Sequence, residues 1–263
     1  MRQIIKAQSY QMVRSRLVKA VYLCVALLMI FSALIDIFEI EGLQQIRVSA
    51  SYVLMNDDGI TFISSVLFVG FIAAESIGSD FKDKDLYYEL LSGRGRAASF
   101  FARSIYTVLV TAFVSVIAAF IPMVFCLLLR GWGEQTELSG VIIRQLLYFF
   151  PFVRITSFVV LVIYITRNPY VGMMLGYVIA LAGTLVGALI KSPSAYLTGF
   201  HNLEKLSNYK PLGVESGQQI TPFTVFETAV PGSLIAGTIA ASLAAAALYL
   251  IIGYLYHRRK DLN

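Results

Sequence analysis

The chain has 263 residues, 57% of them hydrophobic and only 14% charged, with a formal net charge of +5 and a mean hydropathy of +0.73. Soluble domains carry about 25% charged residues, so an ordinary soluble domain is excluded, and apolar blocks of roughly 20 residues match a hydrocarbon layer of about 30 Å. Outer-membrane strands would alternate over segments of about 10 residues; no stretch keeps that pattern, and the expected fold class is an all-α integral membrane protein.

In chain order, residues 1–17 form a basic leader, "MRQIIKAQSYQMVRSRL", in which Ile4, Ile5, Tyr10 and Val13 sit among basic and polar residues. The leader reads as an interfacial helix with Lys and Arg reaching toward lipid headgroups; a disordered basic tail is the alternative. Residues 18–256 then read as a domain of six spans, near 18–38, 59–78, 99–129, 146–166, 170–190 and 231–256, followed by a tail over 257–263. The first span follows a basic stretch as a secretory signal would. Its apolar core is too long for one, and "DIFEIEG" offers no small-residue cleavage site, so an uncleaved helix is expected.

With six spans both termini share a side. If that side is cytoplasmic, only Arg47, Arg130, Arg144, Lys191, Lys205 and Lys210 fall outside, and nearly all other Lys and Arg fall inside. The positive-inside rule therefore places both termini in the cytoplasm of a multi-pass plasma-membrane protein. The same clustering at span ends makes topology, not nucleic acid, the reason for the positive charge.

Between the second and third spans lies "DFKDKDLYYELLSGRGR", residues 80–96, the densest run of charge in the chain. Tyr87, Leu90 and Leu91, with Phe81 earlier, gather toward one side of a helix, while Lys82, Asp83, Asp85 and Glu89 take much of the rest, so a short amphipathic helix over 80–92 is expected. Ser92, Gly93 and Gly95 then favour a turn. A solvated connector needs no aromatic face, whereas a docking element needs apolar anchors and charges that fix its register.

Pro122 and Pro151 predict kinks in the third and fourth spans, as static bends or as hinges. In the fifth span Gly172, Gly176, Ala180, Gly183 and Gly187 share one helical face, a pattern that lets backbones approach closely in lipid. Ala236, Ala240 and Ala244, with Gly237 and Ala241, make a second such face in the last span. Residues 191–230 form an outer segment with Pro193, Pro211 and Pro222, too apolar for a plain linker, expected as short helices on or in the outer leaflet.

Ionisable groups at membrane depth are functional candidates by default. Glu75 and Arg103 fall near the inner ends of neighbouring spans and are expected to pair. For Arg154, deeper in the fourth span, a polar translocation surface, a structural pairing and a misplaced span boundary all stand. Cys24 and Cys126 lie in apolar blocks and read as small buried hydrophobes. No HExxH, no Cys and His cluster, no nucleophile motif and no GxxxxGK[ST] occurs, so neither catalysis nor a metal nor a nucleotide site is expected in this chain.

The stretch "AAESIGSDFKDKDLYYELLSGRGRAASFFAR" resembles the segment after the second span of ABC-2 type permeases, the membrane subunits of certain ATP-binding-cassette exporters. That family carries a Glu near the end of the span, a coupling helix, an "lsG.sR...f..K" pattern and then the third span. Glu75, the helix at 81–91, "LSGRGR", Phe100 and Arg103 stand in those places here, with Arg103 where a Lys is more usual. The ending "LYHRRKDLN" is similar to the family's basic close followed by Asp-Leu, and the six-span layout agrees. The resemblance implies ATPase coupling through Phe81, Asp83, Asp85, Tyr87, Leu90, Leu91, Arg94 and Arg96. It implies a dimer of permease chains, alike or related, and a cytoplasmic ABC ATPase that would carry ATP and Mg. It further implies export of an amphipathic substrate such as an antimicrobial peptide or drug, with a lipid or glycan precursor as the alternative and a secondary transporter using Arg154 as the rival class.

Overall fold

The computed structural model describes residues 2–44, 49–55, 60–82, 91, 93, 95–134, 136–172, 174, 178, 196–212 and 224–259. Within them the chain is mostly helical: α1 (Arg2–Arg14), α2 (Arg16–Gln44), α3 (Ala50–Met55), α4 (Ile60–Lys82), α5 (Arg96–Arg130), α6 (Leu138–Leu147), α7 (Phe149–Thr166), α8 (Gly199–Ser207) and α9 (Gly232–Arg259), with the two-residue strands β1 (Lys210–Pro211) and β2 (Phe226–Glu227). Four helical runs are long and apolar enough to cross a membrane among the described residues: Arg16–Phe38, Arg96–Arg130, Leu138–Thr166 and Gly232–Arg259. Helix α4 occupies the second expected span, but its described apolar stretch is only Val69–Gly78. Of the fifth expected span, residues 170–172, 174 and 178 are described and helical; Gly176, Ala180, Gly183 and Gly187 lie outside the described residues.

The α6–α7 run is the centre of the bundle. Of its most apolar window 67% is buried, against 28% for α2 and 17% for α9, so most of its circumference meets protein, as for a helix apolar nearly all round. Val153, Val160, Ile163 and Tyr164 pack there against Val69, Ala73 and Ile77 of α4, Phe100, Val108 and Ala112 of α5, and Ala246 of α9.

Helix breaks follow local chemistry. Between α1 and α2 the break falls at Ser15, whose Oγ accepts from Val18 N at 3.3 Å and so caps α2. Helix α5 runs through Pro122 without interruption. The bend expected at Pro151 is instead a break at Tyr148, between α6 and α7. A proline ring clashes with the carbonyl four residues earlier, here that of Leu147, the last residue of α6, so Pro151 falls in the first turn of the new helix, where its missing N–H costs least.

The two small-residue faces have different surroundings among the described residues. At Gly172 an added Cβ would meet Ile163 Cγ1 at 2.6 Å and Ile163 Cα at 2.9 Å, so the backbone there approaches α7 closely. In α9, by contrast, Ala236, Ala240 and Ala244 are exposed, and the inward face is Thr238, Ser242, Ala246, Gly253 and His257. Gly237 does meet a neighbour, the Tyr196 ring, which occupies the place where a Cβ would stand.

Among its described residues, the segment after the fifth expected span contains one short helix and a small ladder. Helix α8 is capped by Thr198, whose side chain accepts from His201 N, and buries Phe200, Leu203 and Leu206. Strands β1 and β2 pair antiparallel, Lys210 opposite Glu227 and Pro211 opposite Phe226. This segment, α3 and the turn around Trp132 cover the end of the bundle where α5 finishes and α6 and α9 begin. Helix α1 lies at the opposite end.

Candidate functional site

At the α1 end the apolar helices carry polar groups inward. Helix α1 presents Ile4, Gln8 and Met12, one turn apart, to the bundle, and packs on α5, α4 and α2. Gln8 Nε2 donates to Asp80 Oδ2 at 2.9 Å, and the same Asp80 oxygen pairs with the Arg103 guanidinium. Both partners of that pair are buried. The pairing expected between Glu75 and Arg103 is therefore not the one made. Asp80, five residues past Glu75, faces Arg103, while Glu75 takes a hydrogen bond from Ser15 Oγ at 3.3 Å. One turn further along α5, Thr107 and Ser76 share a buried hydrogen bond of 2.8 Å.

Beside this polar group lies an aromatic knot. Phe100 of α5 touches the rings of Phe101, Tyr164, Tyr254 and His257, at centroid distances of 4.5–5.8 Å. The Gly253 backbone leaves room for it, since a Cβ there would lie 3.2 Å from Phe100 Cζ. Phe81, expected as an anchor of a separate amphipathic helix, is the penultimate residue of α4. It meets Tyr164 edge-on at 5.4 Å and packs against the core. Arg96 opens α5 and donates to the Arg258 carbonyl at 3.3 Å, at the end of α9, where a cation is favoured by the helix dipole. Gly93 stands at φ +86, within the turn expected before α5. Leu91 is exposed. Asp83, Asp85, Tyr87, Leu90 and Arg94 lie outside the described residues.

At the opposite end two arginines hold backbone. Arg154 directs one guanidinium nitrogen to Tyr196 O and the other to Leu197 O, each at 2.9 Å, just ahead of α8. The guanidinium thus ties α7 to the main chain that leads into α8. Arg144, in α6, donates to Leu206 O, Asn208 O, Glu227 O, Thr228 O and Ala229 O at 3.0–3.4 Å. It thus grips the C-terminal carbonyls of α8, where the helix dipole is negative, together with β2 and the residues after it. Its guanidinium carbon also lies 4.6 Å from the Tyr209 ring centroid, within cation–π range. Burial pushes the Tyr209 phenol up to about 12, against the opposing pull of the Arg144 charge.

Sequence reasoning singled out Glu75, Arg103 and Arg154 but passed over Asp80 and Arg144. Asp80 had a signal: an acidic residue close past an apolar run and facing a basic one across a short turn. Arg144 had none, because its acceptors are main-chain carbonyls and carry no side-chain signature. No protein-family model matches the chain, and no curated protein matches it.

Proposed function

We propose that the chain is the permease subunit of an ATP-binding-cassette exporter, moving an amphipathic substrate such as an antimicrobial peptide or drug with energy from a separate cytoplasmic ATPase. The observation that carries the reading is the charged segment at 80–96, set between two apolar helices and ending in a glycine turn. In this reading the α1 end is cytoplasmic, both termini lie there, and residues 83–91 dock on the ATPase that holds ATP and Mg. The Asp80–Arg103 pair and the aromatic knot support it, because they fix both flanks of that segment to α4, α5, α7 and α9. A push on the segment would reach the bundle as a shift of whole helices rather than of a loose loop. A second permease chain is part of the proposal, and the exposed stripe Ala236, Ala240 and Ala244 is the kind of surface on which helices of two chains approach closely in lipid. A secondary transporter built on Arg154 is disfavoured, since its guanidinium is occupied by the Tyr196 and Leu197 carbonyls.

The test is whether a cytoplasmic ABC ATPase co-expressed with this chain co-purifies with it. Truncating a buried interface anchor costs about 2 kcal/mol or more, so changing Tyr87 and Leu91 together to Ala should weaken ATPase association by at least about tenfold. Asp83→Ala should act mildly and in a salt-dependent way, as screened surface charges do. Full ATPase binding and full stimulation of ATP hydrolysis by the double variant would remove this segment from the coupling path and the exporter reading with it.

A further inference from the structure

Helix α1 has two faces, and the bundle occupies one of them. Ile4, Gln8 and Met12 point inward, one turn apart. Lys6, Tyr10, Val13 and Arg14 follow the same period half a turn away, and all four are exposed, Tyr10 at 62% and Val13 at 70%. The charge of this outer face has one sign. Arg2, Lys6, Arg14, Arg16 and Lys19 all precede the first acidic residue of the chain, Asp36. Among the described residues Lys6, Arg14, Arg16 and Lys19 make no ion pair. The carboxylates of Glu75 and Asp80 at this end are engaged instead by Ser15, Gln8 and Arg103.

The depth of that face follows from α2. This helix is long and apolar enough to cross a membrane, and Leu23, Leu27, Leu28 and Phe31 are exposed along it. The chain passes from α1 to α2 through Ser15 alone, and Leu17, also exposed, carries the apolar surface across the join. Where α2 leaves the hydrocarbon α1 begins, so its outer face stands at the level of lipid headgroups, where apolar side chains mixed with Lys and Arg settle.

We propose that the outer face of α1 docks on an anionic lipid surface, and that this contact holds Gln8 in place on Asp80. A zwitterionic lipid also offers phosphates, but its surface has no net charge, whereas an anionic leaflet attracts every Lys or Arg near it. The two faces are thereby linked. Protein grips α1 through Gln8 and lipid grips it through Lys6 and Arg14, so loss of lipid charge loosens the Gln8–Asp80 bond and one support of the Asp80–Arg103 pair. The inference holds whether or not the chain serves an exporter.

The experiment follows backbone hydrogen exchange of the full chain in nanodiscs of phosphatidylcholine alone or of an equal mixture with phosphatidylglycerol. Amides of α1 should exchange at least about tenfold more slowly in the anionic discs, since each cation near the surface contributes about fivefold. Raising the salt should shrink the difference. Amides in the middle of α9 should exchange alike in both discs, which reports an intact bundle. Lys6→Gln together with Arg14→Gln, both at exposed positions, should remove most of the difference by speeding exchange in the anionic discs only. Gln8→Ala, on the inner face, should speed it in both. Equal exchange in the two discs overturns the proposal. A difference that the Lys6 and Arg14 changes leave untouched also overturns it, by placing the lipid effect elsewhere on the chain. Protection of α1 that arises only when a cytoplasmic protein co-purifies overturns it as well, by giving the face to that partner.

Discussion

The two ends of the bundle both take guanidinium groups out of water, but with different acceptors. At the α1 end Arg103 meets a carboxylate, Asp80, itself held by Gln8. At the α8 end the hydrogen-bond acceptors of Arg144 and Arg154 among the described residues are main-chain carbonyls, and Arg144 also faces the Tyr209 ring. A carboxylate neutralises the charge and joins two regular helices, α4 and α5. Carbonyls leave the net charge in place and spread it over dipoles, and in exchange the arginines supply donors to a helix end and to irregular backbone. In the first arrangement the attraction is concentrated between two side chains, so that a single substitution disturbs it. The second has several weaker contacts that fail together. An ion pair therefore suits an end that has to shift, and a carbonyl cage suits an end that has to stay closed.

The largest expected effect is at the cage. Arg144→Ala leaves five carbonyls without their donor, and since each buried unsatisfied group costs about 1–3 kcal/mol, the α8 end should lose its structure. The measurement is limited proteolysis of the detergent-solubilised protein, with new cleavage between α8 and α9 and none near α1. Arg144→Lys, which has three donors on a compact head rather than a five-donor fork, should rescue only part. Equal loosening of both ends would show that they are one cooperative unit and dissolve the contrast.

Next comes the ion pair. Removing one partner of a buried pair strands the other charge, at a cost of about 3–5 kcal/mol. Arg103→Gln and Asp80→Asn should each lower the thermal midpoint in detergent clearly, and the double variant should recover much of the loss. Additive losses would mean that Asp80 and Arg103 act through other neighbours.

The smallest effect is a pH dependence confined to the α8 end. The Tyr209 phenol is raised from 10.0 to about 12 in the folded chain. Below pH 10 the phenol is protonated in both states and stability is unaffected. Between pH 10 and about 12 only the unfolded chain releases the proton, so stability falls as pH rises, by about 2–3 kcal/mol at most at 1.36 kcal/mol per unit. Tyr209→Phe should flatten the melting midpoint over that window relative to wild type. A slope that survives the substitution would assign it to other groups.

What the sequence reveals and what it withholds divide along the same line. Long apolar blocks announce the helices Arg16–Phe38, Arg96–Arg130, Leu138–Thr166 and Gly232–Arg259, because hydrophobic length is a local property. The depth of Arg154 is equally visible, but its partners are the carbonyls of residues 42 and 43 positions away. The choice between Glu75 and Asp80 as the partner of Arg103 depends on how α4 is rotated against α5, which no residue pattern in either helix states alone. Phe81 shows the same limit from the other side. Its phase fits an amphipathic face after the span, yet α4 runs on to Lys82 and Tyr164 of α7 provides a nearer surface. The inward face of α9, with Thr238 and Ser242, was hidden by the stronger signal of the alanines on its outer side.

Arg144 also sets an order in time. The residues that accept its hydrogen bonds follow it by 62 to 85 positions, so when α6 leaves the ribosome its guanidinium has no protein partner. During synthesis it has to remain hydrated or borrow lipid phosphates, and α6 cannot settle to its final depth. Only when residues 227–229 emerge, immediately ahead of α9, does the cage have all its carbonyls. Helix α9 thus follows at once on the closing of this cap, and a chain truncated before residue 227 should leave α6 riding high at the membrane surface.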